Sequence, residues 1–266
     1  MNNGREEGDS ERIDIFMRLF PSQEVDAAVF MISNHRELVV DLPQGVLKFF
    51  NDSLNSLPKT FTNEIRLSEW VCRLLIGRLI QDIRSMSLCA SLSYSTGTAS
   101  IASSIFEIAF ELMFLTANEE AAQAWLDHKV IKEGSSKIGE RIESYVGKLG
   151  FIGKEKTDMV QKYFEPYRLI NMAKHGNSIL QRNLNLKFDD ENRKLTIAAG
   201  PDTSRESMAI IALSIEHALS SATAALARFF QEYYPNLSDQ VIHTSDQVGI
   251  KLMVIRMSYP QIEVPG

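Results

Sequence analysis

Cysteine is scarce in this chain. Cys72 and Cys89 are the only two in 266 residues. Each sits in an apolar stretch of helical spacing, so neither a disulfide framework nor a paired-cysteine zinc site is expected. That usage fits a reducing compartment, and the expected location is cytoplasmic. Positive charge is also short: 28 Lys and Arg face 34 Asp and Glu, a net charge of −6. The broad basic surface of a general DNA-binding protein is therefore excluded, although a local basic groove is not. No apolar run opens the chain. Residues 1–10, MNNGREEGDS, read as a disordered lead-in rather than a signal peptide.

The nearest thing to a membrane span is residues 99–115, ASIASSIFEIAFELMFL, but two glutamates at its centre would be costly in lipid. A buried core helix is expected there and no membrane association. Zinc-protease HExxH, hydrolase GxSxG and dinucleotide GxGxxG patterns are missing. GKLGFIGK at 147–154 approaches a phosphate-binding loop but lacks its first glycine and the Ser or Thr after its lysine. No cofactor is expected.

What the sequence has is helical periodicity, with 44% hydrophobic residues to bury. An N-terminal group spans 11–62. Ile13, Ile15, Phe16, Leu19 and Phe20 predict a docking helix that Pro21 interrupts. Ser22 opens a second helix toward Val40, and Asp41 is placed as the cap of a third that ends before Pro58. A core unit spans 63–234. Ile65, Leu67, Trp70, Val71, Leu74, Leu75, Ile76, Leu79, Ile80 and Ile83 predict a long helix, with Arg66, Arg73, Arg78 and Arg84 on its other face. The stretch SYSTGTAS at 93–100, with Gly97 and several hydroxyl residues, marks a turn or kink before the next helix, which ends near Asn118. A further helix covers 119–132, a weaker one 136–149, and another runs from a Thr157 cap toward Leu180 with a kink or restart at Pro166.

Within 184–199, LNLKF and KLTIA alternate apolar and polar residues around DDEN, which predicts a β-hairpin. Thr203 or Ser204 caps a last long helix that Pro235 stops. The tail, 235–266, holds GIKLMVIRMS at 249–258, read as a third strand because an isolated two-stranded hairpin is marginal in water. The expected fold is mainly α: a multi-helix bundle with a small β-hairpin or three-strand appendage.

Glu107 and Glu111 lie four residues apart on one face of the apolar helix. At least one should meet a cation or a helix N-terminus, because an unpaired buried carboxylate is costly. Both a site carboxylate and a structural ion pair fit that requirement. A di-metal bundle site would need Glu-x-x-His spacing, which none of the five histidines provides. His217, beside Glu216, is expected at an interface, and His35, His128 and His243 show no evident partners. The 128–156 stretch is mildly basic, with Lys129, Lys132, Lys137, Arg141, Lys148, Lys154 and Lys156, and reads mostly as a solvated face.

Arg168 and His175 are seven steps apart, which returns them to within about 20° of one another two helical turns on, with Asn171 between them. Guanidinium, amide and imidazole on one face could hold a phosphodiester: Arg168 neutralises charge, Asn171 orients, and His175 moves a proton near neutral pH. Tyr163, Tyr167, Lys174 and Asn177 could add stacking or phosphate contacts. Cations near a helix C-terminus are also favoured by the dipole alone.

The helix SIFEIAFELMFLTANEEAAQAWLDH with YFEPYRLINMAKHGN resembles a group of uncharacterised bacterial helical proteins over about residues 85 to 180. In that group a helix glutamate, here Glu107, precedes a segment ending in histidine, here His175. Ser103 or Ser104 stands where that group tends to have arginine. The Arg-x6-His spacing is also similar to the HEPN superfamily, four-helix domains that include metal-independent RNases of toxin and antiviral systems. That resemblance implies RNA cleavage in a homodimer, with Arg168, Asn171 and His175 catalytic and Glu107, Glu111, Lys174 and Asn177 in support. The alternative is a non-enzymatic helical interaction or ligand-sensing module.

Overall fold

The structure, a computed structural model, describes residues 21–58, 65–127, 138–175, 186–189, 193–197 and 200–262. The lead-in, the docking helix over 11–20, His128, Lys129, Lys132, Lys137 and Asn177 lie outside the described residues. The chain is mainly helical. Helix α1 (Ser22–Arg36) passes through a π turn at Glu37–Asp41 into α2 (Leu42–Asn55). Asp41 does not act as a side-chain cap, because the backbone stays helical through the turn. Its carboxylate takes the Arg36 Nε–H at 3.3 Å instead.

Helix α3 (Leu67–Ser91) and α4 (Ser95–Leu115) follow. The break between them falls at Ser93, within the expected 93–100 stretch and in the left-handed region with φ 59°, while Gly97 lies in the first turn of α4. Tyr94 N–H reaches Cys89 O and Ser93 N–H reaches Ala90 O, a C-terminal motif in which glycine is usual. Ser93 is accepted there because it is tied down: its hydroxyl donates to Asp202 O at 2.7 Å, and Asp202 N–H returns to Ser93 O at 3.1 Å. On α3, Trp70 and Leu74 point outward, 44% and 45% exposed, against the inward face expected for them.

Asn118 caps α5 (Glu119–Leu126), its side chain accepting from Ala121 N–H. Helices α6 (Ile138–Lys148) and α7 (Gly153–Lys174) come next. Helix α7 begins before Thr157, which is interior with its hydroxyl on Gly153 O. It runs on through Pro166, whose missing N–H falls beside an exposed stretch where water can satisfy the free carbonyl. Strands β1 (Leu186–Asp189) and β2 (Lys194–Ile197) pair antiparallel, Leu186 opposite Ile197.

Ser204 caps α8 (Arg205–Tyr233), accepting from Ser207 N–H. Pro235 does end that helix, but as the first residue of another, α9 (Pro235–Met257), where its missing N–H goes unused. The strand expected at 249–258 is therefore helix. Ser238, Val241, Ser245, Leu252 and Arg256 are its buried positions, a helical spacing that packs α9 on α8 and outweighs the β-like run of residues.

Helices α4 and α8 pack on each other at the centre, with α3, α6 and α7 around α4 and α9 on α8. Phe106, Phe110, Phe229 and Phe230 are buried between these layers. By length and composition α4 and α8 could each cross a membrane, yet 61% and 72% of their most apolar stretches is buried in the bundle.

Candidate functional site

The two carboxylates of α4 have different fates. Glu111 forms a buried ion pair with Arg141 of α6, their side chains 12% and 8% exposed. Burial pushes the Glu111 carboxyl up, and Arg141 opposes that shift. Arg141 thus belongs to the core and not to the solvated basic face expected over 128–156. Glu107 turns to α7 instead and keeps 41% of its side chain exposed.

Its partners come from two facing stripes. Ser103 and Glu107 are one turn apart on α4, while Tyr167, Asn171 and Lys174 follow i, i+4, i+7 spacing on α7. Tyr167 OH donates to Glu107 Oε1 at 2.8 Å. Ser103, fully buried, shares its hydroxyl between Asn171 Oδ1 at 2.8 Å and Glu107 Oε1 at 3.1 Å. Lys174 Nζ donates to Ser103 Oγ at 3.5 Å and stands 4.0 Å from Glu107 Oε1. The Tyr167 ring stacks on Phe106 at 5.0 Å. Burial, together with donation to Glu107, pushes its phenol up to about 12, so it remains a donor at neutral pH.

Arg168 and His175 flank this seam. Arg168 is exposed and pairs with Glu165 on its own helix at 3.2 Å. His175 is the exposed C-cap residue; its backbone N–H bonds Asn171 O at 2.9 Å, and among the described residues no hydrogen bond involves its imidazole. Helix α7 ends at Lys174, short of the expected Leu180. No hydrogen bond or ion pair joins Arg168 to His175 among the described residues. Asn171 is drawn inward by Ser103, and the aromatic rings expected to stack on a ligand are committed elsewhere: Tyr163 packs edge-on against Tyr145 and Phe110.

Of the sequence-derived set, then, Glu107, Asn171 and Lys174 are brought together, Arg168 and His175 stand beside them, and Glu111 is separate. Ser103 was missed as a participant. Its signal was available in the i, i+4 relation to Glu107, facing the polar stripe of α7.

Other polar groups serve joints. Ser68 bonds Glu119 through both N–H and hydroxyl, at 3.1 and 2.5 Å, and accepts from Tyr233 OH at 2.7 Å. Glu69 takes Arg73 and Tyr234. These fasten the starts of α3 and α5 to the end of α8. His35 and His243 do have partners: Tyr259 OH at 3.1 Å and Gln247 at 2.9 Å. No family model, curated protein or solved structure matches this chain.

Proposed function

We propose that this protein is a metal-independent ribonuclease of the HEPN-like kind, working at the α4–α7 seam in a reducing, cytoplasmic setting. The observation that carries the reading is Glu107. A carboxylate on the most apolar of the described helices stays 41% exposed and organises, with Ser103, the end of the helix that presents Arg168 and His175. Those two keep exposed heads. The Arg168–Glu165 pair is a surface contact at 3.2 Å, worth little, so a phosphate can displace Glu165 readily.

In the proposed reaction Arg168 neutralises the phosphodiester, with Lys174 as a second cation near the C-terminus of α7. His175 takes the proton of the ribose 2′-hydroxyl. The 2′-oxygen bonds to phosphorus, the bond from phosphorus to the 5′-oxygen breaks, and water protonates the leaving oxygen. The products are a 2′,3′-cyclic phosphate and a 5′-hydroxyl. Cleavage is then unaffected by chelators and falls by about 10²–10⁴ in His175→Ala and Arg168→Ala. Full-rate cleavage by both variants overturns the assignment.

A second reading, a non-enzymatic interaction module, is favoured by the exposed Ile250, Met253, Val254 and Met257 on α9. On that reading His175→Ala is silent.

A further inference from the structure

Helix α3 carries its charges unevenly. Only two acids occur between Leu67 and Ser91, Glu69 and Asp82, and both are buried. The exposed side of the helix holds Arg78 and Arg84 and no carboxylate, in a chain whose net charge is −6. Steps of about 100° per residue place Trp70, Leu74 and Gln81 along the middle of that side, with Arg78 on one margin and Arg84 on the other.

Both marginal arginines are available to a ligand, whereas Arg66 and Arg73 are paired with Glu232 at 3.6 Å and Glu69 at 2.9 Å. Arg84 has no hydrogen bond or ion pair among the described residues. Arg78 is 60% exposed and donates through Nε alone, at 3.0 Å, to Asp82. Asp82 is held in turn by the Ser104 hydroxyl of α4 at 3.2 Å. A buried carboxylate thus fixes the plane of an exposed guanidinium and leaves both Nη groups free, which is how arginine meets a phosphate.

We infer that the outward face of α3 is a track for single-stranded RNA, with Arg78 and Arg84 on backbone phosphates and Trp70 under a base. Cations with a half-exposed indole between them suit a strand whose bases are unpaired and free to stack. Trp70 and Arg78 are about 12 Å apart along the helix axis, so one strand reaches both. Trp70 and Leu74 are only 44% and 45% exposed, too shallow a pair to enter lipid. A second copy on this face would set arginines against arginines with no exposed carboxylate of α3 to answer them. The track lies beside the proposed site: α3 and α7 both pack on α4, and Ser104, which holds Asp82, adjoins Ser103 of the seam. A strand leaving Arg78 crosses α4 toward Arg168 and His175. The assignment of ribose to the strand rests on the ribonuclease reading.

Fluorescence anisotropy of the full chain with a labelled 2′-O-methylated single strand, whose blocked 2′-oxygen prevents cleavage, tests the track. Binding at low salt is expected. Arg84→Ala and Arg78→Ala each lower the slope of log affinity against log salt by about 0.7. Trp70→Ala weakens binding roughly 5- to 100-fold, and Trp70→Phe keeps most of it. Arg36→Ala, which removes a 65% exposed arginine from α1, leaves affinity and slope unchanged. Arg84 and Trp70 lie outside the buried core, so their variants decide the test even where Arg78→Ala unsettles Asp82. No binding at low salt, a duplex bound as tightly as the single strand, or wild-type affinity in both Arg84→Ala and Trp70→Ala overturns the inference, as does binding to anionic vesicles but not to the strand. Binding without cleavage of unmodified RNA keeps the track and removes the ribonuclease reading; wild-type cleavage by Arg84→Ala and Trp70→Ala does the reverse.

Discussion

Glu107 and Glu111 sit one turn apart on α4, and their surroundings separate what their spacing groups together. Glu111 meets Arg141 with both side chains buried. Removing either partner strands a charge, so Glu111→Ala or Arg141→Ala is expected to lower the unfolding free energy by about 3–5 kcal/mol in urea titrations, while replacing both by apolar residues of similar volume restores most of it. Glu107 is different. Its carboxylate is 41% exposed and water can replace its partners, so Glu107→Ala costs only about 1 kcal/mol. On the proposed reading cleavage should drop more than that suggests, because Tyr167 and Lys174 at the end of α7 lose the carboxylate they share. A loss of stability as large as that of Glu111→Ala would make Glu107 core architecture. The sequence exposed the pair, since two carboxylates among Ile105, Phe106, Phe110 and Met113 demand explanation. It could not reveal which partner each would take, because that depends on how α6 and α7 dock on α4.

At the scale of the element, helix α9 shows best why local pattern can mislead. Val254, Ile255 and the alternation around them favour a strand, but Val241, Ser245, Leu252 and Arg256 lie on one helical face, and the gain comes from packing that face on α8. Arg256 then turns back to hold the chain end, donating to Tyr259 O at 3.3 Å and Pro260 O at 3.0 Å. Beneath it, His217 is held neutral: burial, with Arg256 adding to it, pulls the imidazole down to about 4. Above pH ~6.5 the imidazole is uncharged both folded and unfolded and contributes nothing to the pH dependence. Between there and pH 4 the unfolded chain takes up a proton that the folded chain refuses, so stability falls as pH falls, by at most about 3 kcal/mol. Glu111 and Glu216, whose carboxyls burial pushes up, act in the opposite direction. The check is therefore a comparison of melting against pH, in which His217→Gln should lose less stability than wild type between pH 6.5 and 4. Parallel curves for the two proteins would contradict it. The turn at Ser93 teaches a related lesson: the 93–100 stretch marked the break, and a tertiary tie to Asp202 let serine rather than Gly97 take the left-handed position.

For the whole molecule, the mainly helical class and the central role of α4 were legible because long 3.6-residue periodicities survive any uncertainty at their ends. Helix α8 was equally plain from its Ala-rich run, and Ala218, Ala222 and Ala225 are fully buried in it. Boundaries were less so: α7 starts before its expected cap and stops at Lys174, leaving His175 at the helix end. On the proposed reading, its exposed imidazole is the group that moves the proton. The direct measurement is cleavage of single-stranded RNA by the purified full chain in excess EDTA, with the new termini identified. The expected result is a 2′,3′-cyclic phosphate and a 5′-hydroxyl, produced by wild type and lost by about 10²-fold or more in His175→Ala. Cleavage that requires a divalent metal, equal cleavage by His175→Ala, or none by the folded wild-type protein would contradict it.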